Sequence, residues 1–324
     1  MKIIAHQKNI DPTDYARDKN KLNVKYGLPQ DIAFCNHCCI SNQRPNSVPE
    51  YSNKAENKKL TIAFDEDGVC DACRSTESKN QTIDWDERRR ELKELCDQHR
   101  RHDGGYDCLI PGSGGKDSFF AAHILKTEFD MHPLTVTWAP HIYTEWGWQN
   151  MQSWIHAGFD NILLTPNGQI HRLLTRLALE VLYHPFQPFI IGQKSIAPKM
   201  SATHNIPLVF YGENEAEYGN PVGDNQSAYR DWSYFTAQEK DDIYLSGVSL
   251  RDLKDEFGVE DYELQPYMPA NPEDLKRTKT EVHYLGYYLK WHPQSCYYYC
   301  VEHSDFVPSP ERTPGTYSKY NSID

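Results

Sequence analysis

Residues 106–118 read Tyr-Asp-Cys-Leu-Ile-Pro-Gly-Ser-Gly-Gly-Lys-Asp-Ser. A short apolar strand runs into a glycine-rich turn, and a helical stretch over 116–127 follows. Strand, glycine-rich loop and helix, in that order, make a phosphate site. The glycines let successive backbone N–H groups point into one concavity, and the helix N-terminus adds its positive end. Ser113 and Ser118 can add hydroxyl donors. A Walker loop has four residues between its glycines and closes on Gly-Lys-Ser/Thr; this loop does neither. Asp117 is unexpected in a phosphate cradle, and it sets this loop apart from a Walker loop. The bland alternative is an ordinary strand-to-helix turn.

From Tyr106 onward strand and helix patterns alternate. Strands are expected at 106–111, 133–138, 161–165 and 207–211, and helices at 116–127, 145–157, 169–183 and 193–204. Such alternation implies an α/β fold with a doubly wound parallel sheet. Ligands in these sheets sit beyond the carboxyl ends of the strands. The loops after 111, 138, 165 and 211 are therefore expected to line one site. The loop after 138 offers Trp138, His141 and Tyr143, suited to a base or a sugar ring. The loop after 211 offers Glu213, Asn214 and Glu217, and crowded carboxylates repel unless a cation joins them. Mg²⁺ carried by ATP would do so. Gln193 and Lys194 open the helix over 193–204 and could reach phosphate or substrate. Surface aromatic packing and a solvated acidic turn are the plain readings of the same segments. Beyond 212 the alternation fades, and 238–257 and 281–303 look helical. The expected organisation is an arm and cysteine module over 1–80, a charged linker helix in 81–104, the nucleotide domain over 105–235 and a helical substrate region over 236–324.

Two cysteine pairs, around a polar loop and an expected small strand over Leu60 to Phe64, precede the nucleotide domain. Cys35-x-x-Cys38 and Cys70-x-x-Cys73 are 31 residues apart. Two such knuckles can close a tetrahedral thiolate cage around zinc with no open position for water, which makes the site structural. Cys39 is expected to point away from the cage, and His37 to be a spectator. Cys96 and Cys108 read as core residues, and Cys296 and Cys300 as packing on a helix face.

Composition narrows the function. The 324-residue chain carries a formal charge of −12, which lowers the odds of a nucleic-acid substrate. Apolar residues make up 39% and aromatic residues 12%, enough for a packed core. No apolar run approaches the roughly 18 residues of a membrane span. The opening residues lack a signal-peptide core, so a cytoplasmic location is expected. Nine cysteines in a reducing compartment favour metal ligation over disulfides.

The loop Ser113-Gly114-Gly115-Lys116-Asp117-Ser118 resembles the signature of the PP-loop ATP pyrophosphatases. Taken with the other motifs, the chain is similar to the N-acetyl sugar amidotransferase family of that superfamily. The likeness runs through Lys25-Tyr-Gly-Leu-Pro29, Ile40-Ser-Asn-Gln-Arg-Pro45, Gly68-Val-Cys-Asp-Ala-Cys73, Thr137-Trp-Ala-Pro-His-Ile-Tyr-Thr144 and His184-Pro-Phe-Gln-Pro-Phe-Ile-Ile-Gly-Gln-Lys194. It continues through Pro207-Leu-Val-Phe-Tyr-Gly-Glu-Asn-Glu-Ala-Glu-Tyr-Gly219 and Gly315-Thr-Tyr-Ser-Lys-Tyr320. Cys39 departs from the family pattern, where an apolar residue is expected. The resemblance implies an adenine nucleotide alpha hydrolase-like fold. It also implies conversion of a sugar acetamido group to acetamidino at the expense of ATP, giving AMP and pyrophosphate, in surface-glycan synthesis such as lipopolysaccharide O-antigen or flagellin sugars. Lys116, Asp117 and Ser113 would be the catalytic residues. ATP would be bound by 113–118, Trp138, Glu213, Asn214 and Glu217, the sugar (nucleotide-linked or free) by His141, Tyr143, Gln193 and Lys194, and zinc by the four knuckle cysteines. No Gly-x-Cys-x-Gly glutaminase elbow is present, so a separate glutaminase and an ammonia-channelling barrel subunit are the expected partners. A PP-loop tRNA thiolase is one rival; it would need a basic face and a reactive cysteine beside ATP. A non-catalytic zinc-knuckle docking protein is the other.

Overall fold

The computed structural model describes residues 27–213, 227–237 and 239–312. Two helices precede the sheet: α1 (Asp71–Gln81) and α2 (Trp85–His99). Asp84 starts α2 by accepting hydrogen bonds from the N–H groups of Asp86 and Glu87, which satisfies two of the donors a helix leaves open at its start. The alternating core follows: β1 (Cys108–Pro111), α3 (Lys116–Thr127), β2 (Pro133–Trp138), α4 (Glu145–His156), β3 (Asp160–Leu164), α5 (Gly168–Leu182), α6 (Gln187–His204) and β4 (Leu208–Tyr211). The hairpin β5 (Tyr244–Leu245) and β6 (Val248–Ser249) comes next, then α7 (Leu250–Asp255), α8 (Asp261–Leu264) and α9 (Pro272–Thr278). The chain closes on β7 (Glu281–Tyr284), α10 (Leu285–Tyr288) and α11 (Pro293–His303).

Five strands form one sheet in the order β3-β2-β1-β4-β7, and every neighbouring pair is parallel. Both faces are covered. Ile110, Leu208 and Phe210 pack on one side with Phe119, Met151 and Trp154 from α3 and α4. Leu109, Val209 and Val282 pack on the other with Ile170 and Leu174 of α5 and Ile191 and Ile196 of α6. This is the period-two alternation of a strand with both faces dry, which is why these strands read as unbroken apolar runs. Thr135 and Thr137 are buried as well. Their hydroxyls donate to Asn161 Oδ1 at 2.8 and 3.0 Å, so neither goes unpaired.

Four sequence expectations are corrected. Residues 281–303 are not one helix: Glu281–Tyr284 is the edge strand β7, paired with β4, so the stretch 236–324 supplies a strand to the sheet. Four residues running directly into a helix leave too short a pattern for periodicity to resolve. Of the expected helix over 238–257, the described residues 239–257 hold a 3-10 turn (Lys240–Asp242), the hairpin and a six-residue helix. In addition, α6 starts at Gln187, with Pro188 in its first turn, rather than at 193. Leu60 to Phe64 makes isolated bridges, Pro45 to Thr61 and Phe64 to Cys70, rather than a strand. Among the described residues no helix is long and apolar enough to cross a membrane.

The strand order places a topological switch at β1. From β1 the chain steps to β2 and β3 on one side, then crosses to β4 on the other. A crevice opens between the carboxyl ends of β1 and β4, where such sheets hold ligands.

Candidate active site and metal centre

That crevice is a cavity of about 660 Å³, within the range of small-molecule sites. The loop after β1 forms its floor through Gly112, Ser113, Gly115, Asp117 and Ser118. Gly114 has φ +84°, and a Cβ there would lie 2.5 Å from the Asn150 carbonyl oxygen, so only glycine fits this turn. Gly112 is hemmed in by Ser118, whose Cβ would be 2.4 Å away. The Ser118 hydroxyl donates to the Gly115 carbonyl at 3.0 Å and holds the loop against its helix. Helix α3 begins at Gly115 without a side-chain cap, which leaves its first N–H groups for a ligand.

Asp117 sits in the first turn of α3. One carboxylate oxygen pairs with the Lys116 ammonium. The other, Oδ1, is buried and has no hydrogen-bond partner. A buried carboxylate oxygen without a donor is costly, and a hard cation would satisfy it. Beneath the loop, the Cys300 thiol contacts the Lys116 carbonyl oxygen at 3.1 Å. Burial pushes the Cys296 thiol up to about 12 and raises Cys300 too, so both are neutral packing groups. Among the described residues no cysteine lines the cavity.

Further walls come from the ends of β2 and β4 and from α6. Trp138, at the end of β2, is almost fully buried, and its indole N–H has no partner. Gln193 and Lys194 project from the middle of α6 rather than its start. The Tyr211 hydroxyl donates to the Lys194 carbonyl oxygen at 2.9 Å and ties β4 to α6. Glu213 lines the cavity beyond Tyr211 and Gly212. Asn214 and Glu217 lie outside the described residues.

His141 and Tyr143, read as substrate contacts, are not brought to the cavity. Thr144 caps α4 by accepting from the Gly147 N–H at 3.0 Å and turns the chain away. His141 instead packs on α5, its ring centroid 4.4 Å from that of His171, with Nε2 3.1 Å from the Thr175 hydroxyl. Tyr143 packs edge-on against Trp148.

The sequence reading missed several cavity residues. Arg230 is buried, donates to the Tyr284 phenol oxygen and stacks over the Tyr234 ring at 4.2 Å. Its place follows from pairing of the 228–230 segment along β7, with Arg230 N–H bonded to the Val282 carbonyl at 2.9 Å. Arg44, Asn46, Ser47, Glu50 and Lys59 reach the cavity from the cysteine module. His184 also lines it. Burial, with the Lys59 and Lys194 ammonium groups, holds its pKa below the usual imidazole range against the pull of Glu50.

The four knuckle sulfurs, of Cys35, Cys38, Cys70 and Cys73, lie within 4.8 Å of one another. Cys35 to Cys73 is 3.9 Å and Cys38 to Cys70 is 3.6 Å. A tetrahedral zinc holding sulfur at about 2.3 Å spaces its ligands about 3.8 Å apart. The N–H groups of His37 and Cys70 point at Cys35 Sγ at 3.4 and 3.3 Å, a setting that favours thiolate. The cluster can therefore hold zinc. Cys39 has φ +62°, is exposed and lies outside the cluster.

No protein-family model and no curated protein sequence matches the chain. Among solved structures, an NH3-dependent NAD synthetase from Campylobacter jejuni, in complex with nitrate, superposes with a TM-score of 0.33 at 16% identity over 61% of this chain and 93% of that one. An NMN synthetase from Francisella tularensis gives 0.31 at 11% identity, over 72% of this chain and 100% of that one. An NAD+ synthetase from Burkholderia pseudomallei gives 0.26 at 14% identity, over 72% and 96%. The superpositions are loose at these scores.

Proposed function

We propose that the chain is an ATP-dependent amidotransferase of the PP-loop kind. It would adenylate the acetamido oxygen of a sugar and replace it with ammonia, giving an acetamidino sugar, AMP and pyrophosphate. The observation that carries this reading is the 113–118 loop. It lies at the uncapped start of α3, at the sheet's switch point, and its Asp117 lines the cavity with one carboxylate oxygen buried and without a partner.

The chemistry explains why such a site is needed. An amide carbonyl is a weak electrophile, and its oxygen will not leave as hydroxide. When that oxygen attacks the α-phosphorus, pyrophosphate departs and the oxygen becomes part of a phosphate leaving group. Ammonia then adds to the activated carbon, AMP leaves, and a proton is lost to give the amidine. The loop N–H groups and the Ser113 hydroxyl would hold the β and γ phosphates and stabilise charge as it develops on pyrophosphate. Lys116 would add positive charge beside them. Asp117 and Glu213 would hold Mg²⁺, which screens the triphosphate when bound. Trp138 would flank the base, and Gln193 and Lys194 the sugar side. Holding both reactants in one cavity supplies much of the rate. At neutral pH free ammonia is mostly ammonium and no nucleophile, so a separate glutaminase and a channelling subunit would deliver it.

The test is direct. The protein, a glutaminase, glutamine, ATP and Mg²⁺ are incubated with a panel of nucleotide-linked acetamido sugars. Mass spectrometry is expected to show the mass change of exchanging O for NH, with AMP and pyrophosphate in equal amounts. ADP and orthophosphate as products would overturn the assignment.

A further inference from the structure

The cysteine module does more than sit beside the cavity. Its segments 44–46 and 60–62 run side by side: the Asn46 N–H bonds to the Leu60 carbonyl at 2.8 Å and the Ile62 N–H to the Arg44 carbonyl at 3.0 Å. Pro45 faces Thr61 across this antiparallel ladder, so Arg44 and Lys59 stand at its opposite ends, and both line the cavity. Ile62, on that ladder, packs with Cys35 and Cys70 as the module's core. A second tie fixes the module to the start of α6 and the β5–β6 turn. The buried Gln187 side chain donates to the Glu50 carbonyl at 3.2 Å and accepts from the Ser246 N–H at 3.0 Å. The thiolate cluster and this tie are the two ends of the support that holds Arg44 and Lys59 in place.

The wall they form is net positive. Lys194 faces it from α6, 4.0 Å from Glu50, and the Glu50 carboxylate also accepts from Asn53 at 3.4 Å. Arg44 makes no ion pair among the described residues. The phosphate loop lies on the cavity floor, so one cavity offers two places for negative charge.

We propose that Arg44 and Lys59 bind the anionic group of the second substrate, a phosphate or a carboxylate. Metal in the cysteine cluster then controls that substrate's affinity without controlling the nucleotide's. This rests on the reading of 113–118 as the nucleotide site. Arg44 supplies a planar fork suited to either anion, and Lys59 a point charge that reaches the same cavity from the other end of the ladder. Loss of metal frees the ladder and disperses both cations, because a four-thiolate module gains its fold from the ion.

Binding to the zinc-loaded full chain is measured by calorimetry, with the loop first filled by α,β-methylene-ATP and Mg²⁺. UDP-N-acetylglucosamine probes for a diphosphate and N-acetylneuraminic acid for a carboxylate; the one that binds names the source of the anion. The double variant Arg44→Gln/Lys59→Gln is expected to weaken that probe roughly tenfold or more. Its affinity for methylene-ATP and its zinc content should stay unchanged. Chelation should produce the same selective loss, and added zinc should reverse it. The proposal is overturned if neither probe binds the unaltered protein, if the double variant binds the probe as well as before, or if probe and nucleotide weaken together. Failure of methylene-ATP to bind would instead sink the reading of the loop; the probes, titrated without it, still judge the wall.

Discussion

Gly192 lies flat against the Trp138 indole: a Cβ built on it would come 2.1 Å from the ring. This contact sets how far α6 can approach the end of β2, and so the width of the cavity on that side. In an open helix, Gly→Ala would stabilise by up to about 1 kcal/mol. Here the added methyl meets a buried ring with nowhere to go, and overpacking costs about 1–3 kcal/mol. Gly192→Ala is therefore expected to lower stability, with a weaker hold on an ATP analogue as Trp138 is displaced. Thermal melts and analogue titration check both. A variant more stable than the parent would show that the ring moves freely.

Asp117→Asn keeps the shape of the side chain and removes its charge. The buried Oδ1 loses its ability to hold a cation beside phosphate, and Lys116 loses its ion pair. AMP release is expected to fall by roughly 100-fold or more. Zinc content and the folded baseline should not change, since Asp117 belongs to the floor of the cavity and not to the thiolate cluster. AMP formation at the parent rate would remove this carboxylate from the mechanism.

Much of this site was legible because it rests on local signals. The 106–118 stretch states its strand, turn and helix in thirteen consecutive residues, and β2 and α3 fall where the pattern places them. The thiolate cluster was legible for the same reason, from two short spacings. What the sequence hid depends on long-range docking. Arg230 becomes a cavity residue only because its segment pairs with β7, a strand whose four residues run straight into α10. Arg44 and Lys59 reach the cavity because their module docks on the rest of the fold, where the Gln187 side chain at the start of α6 holds the Glu50 carbonyl. His141 misled for the converse reason. It leaves the correct strand end, but the Thr144 cap and the His171 ring draw it away.

The cysteines divide by geometry. Cys70→Ser removes one of four sulfurs that face a common centre, and the protein is expected to lose its zinc along with the order of the 35–73 segment. Cys39→Ser changes an exposed thiol outside the cluster, so it should bind the same amount of zinc as the parent. Metal analysis with limited proteolysis separates the two. Loss of zinc in the Cys39 variant would mean that this thiol is itself a ligand.

His171 makes stability depend on pH in a direction that can be worked out. Its ring is buried, its Nδ1 lies 2.7 Å from the Tyr267 hydroxyl, and His141 faces it. Burial, with help from the His141 charge, draws its pKa down to about 4. In the unfolded chain the value returns to about 6.5. Above that pH neither state is protonated at this ring, and its contribution to stability is complete. As pH falls from about 6.5 toward 4 the unfolded chain takes up the proton first, so stability drains away across this window, by on the order of 3 kcal/mol. His171→Gln has no proton to gain. It is expected to start less stable at pH 7, because the Tyr267 contact is altered, and to lose less on acidification. Denaturant titrations from pH 7 to 4.5 measure both slopes, and equal slopes would mean that the acid sensitivity lies in another group.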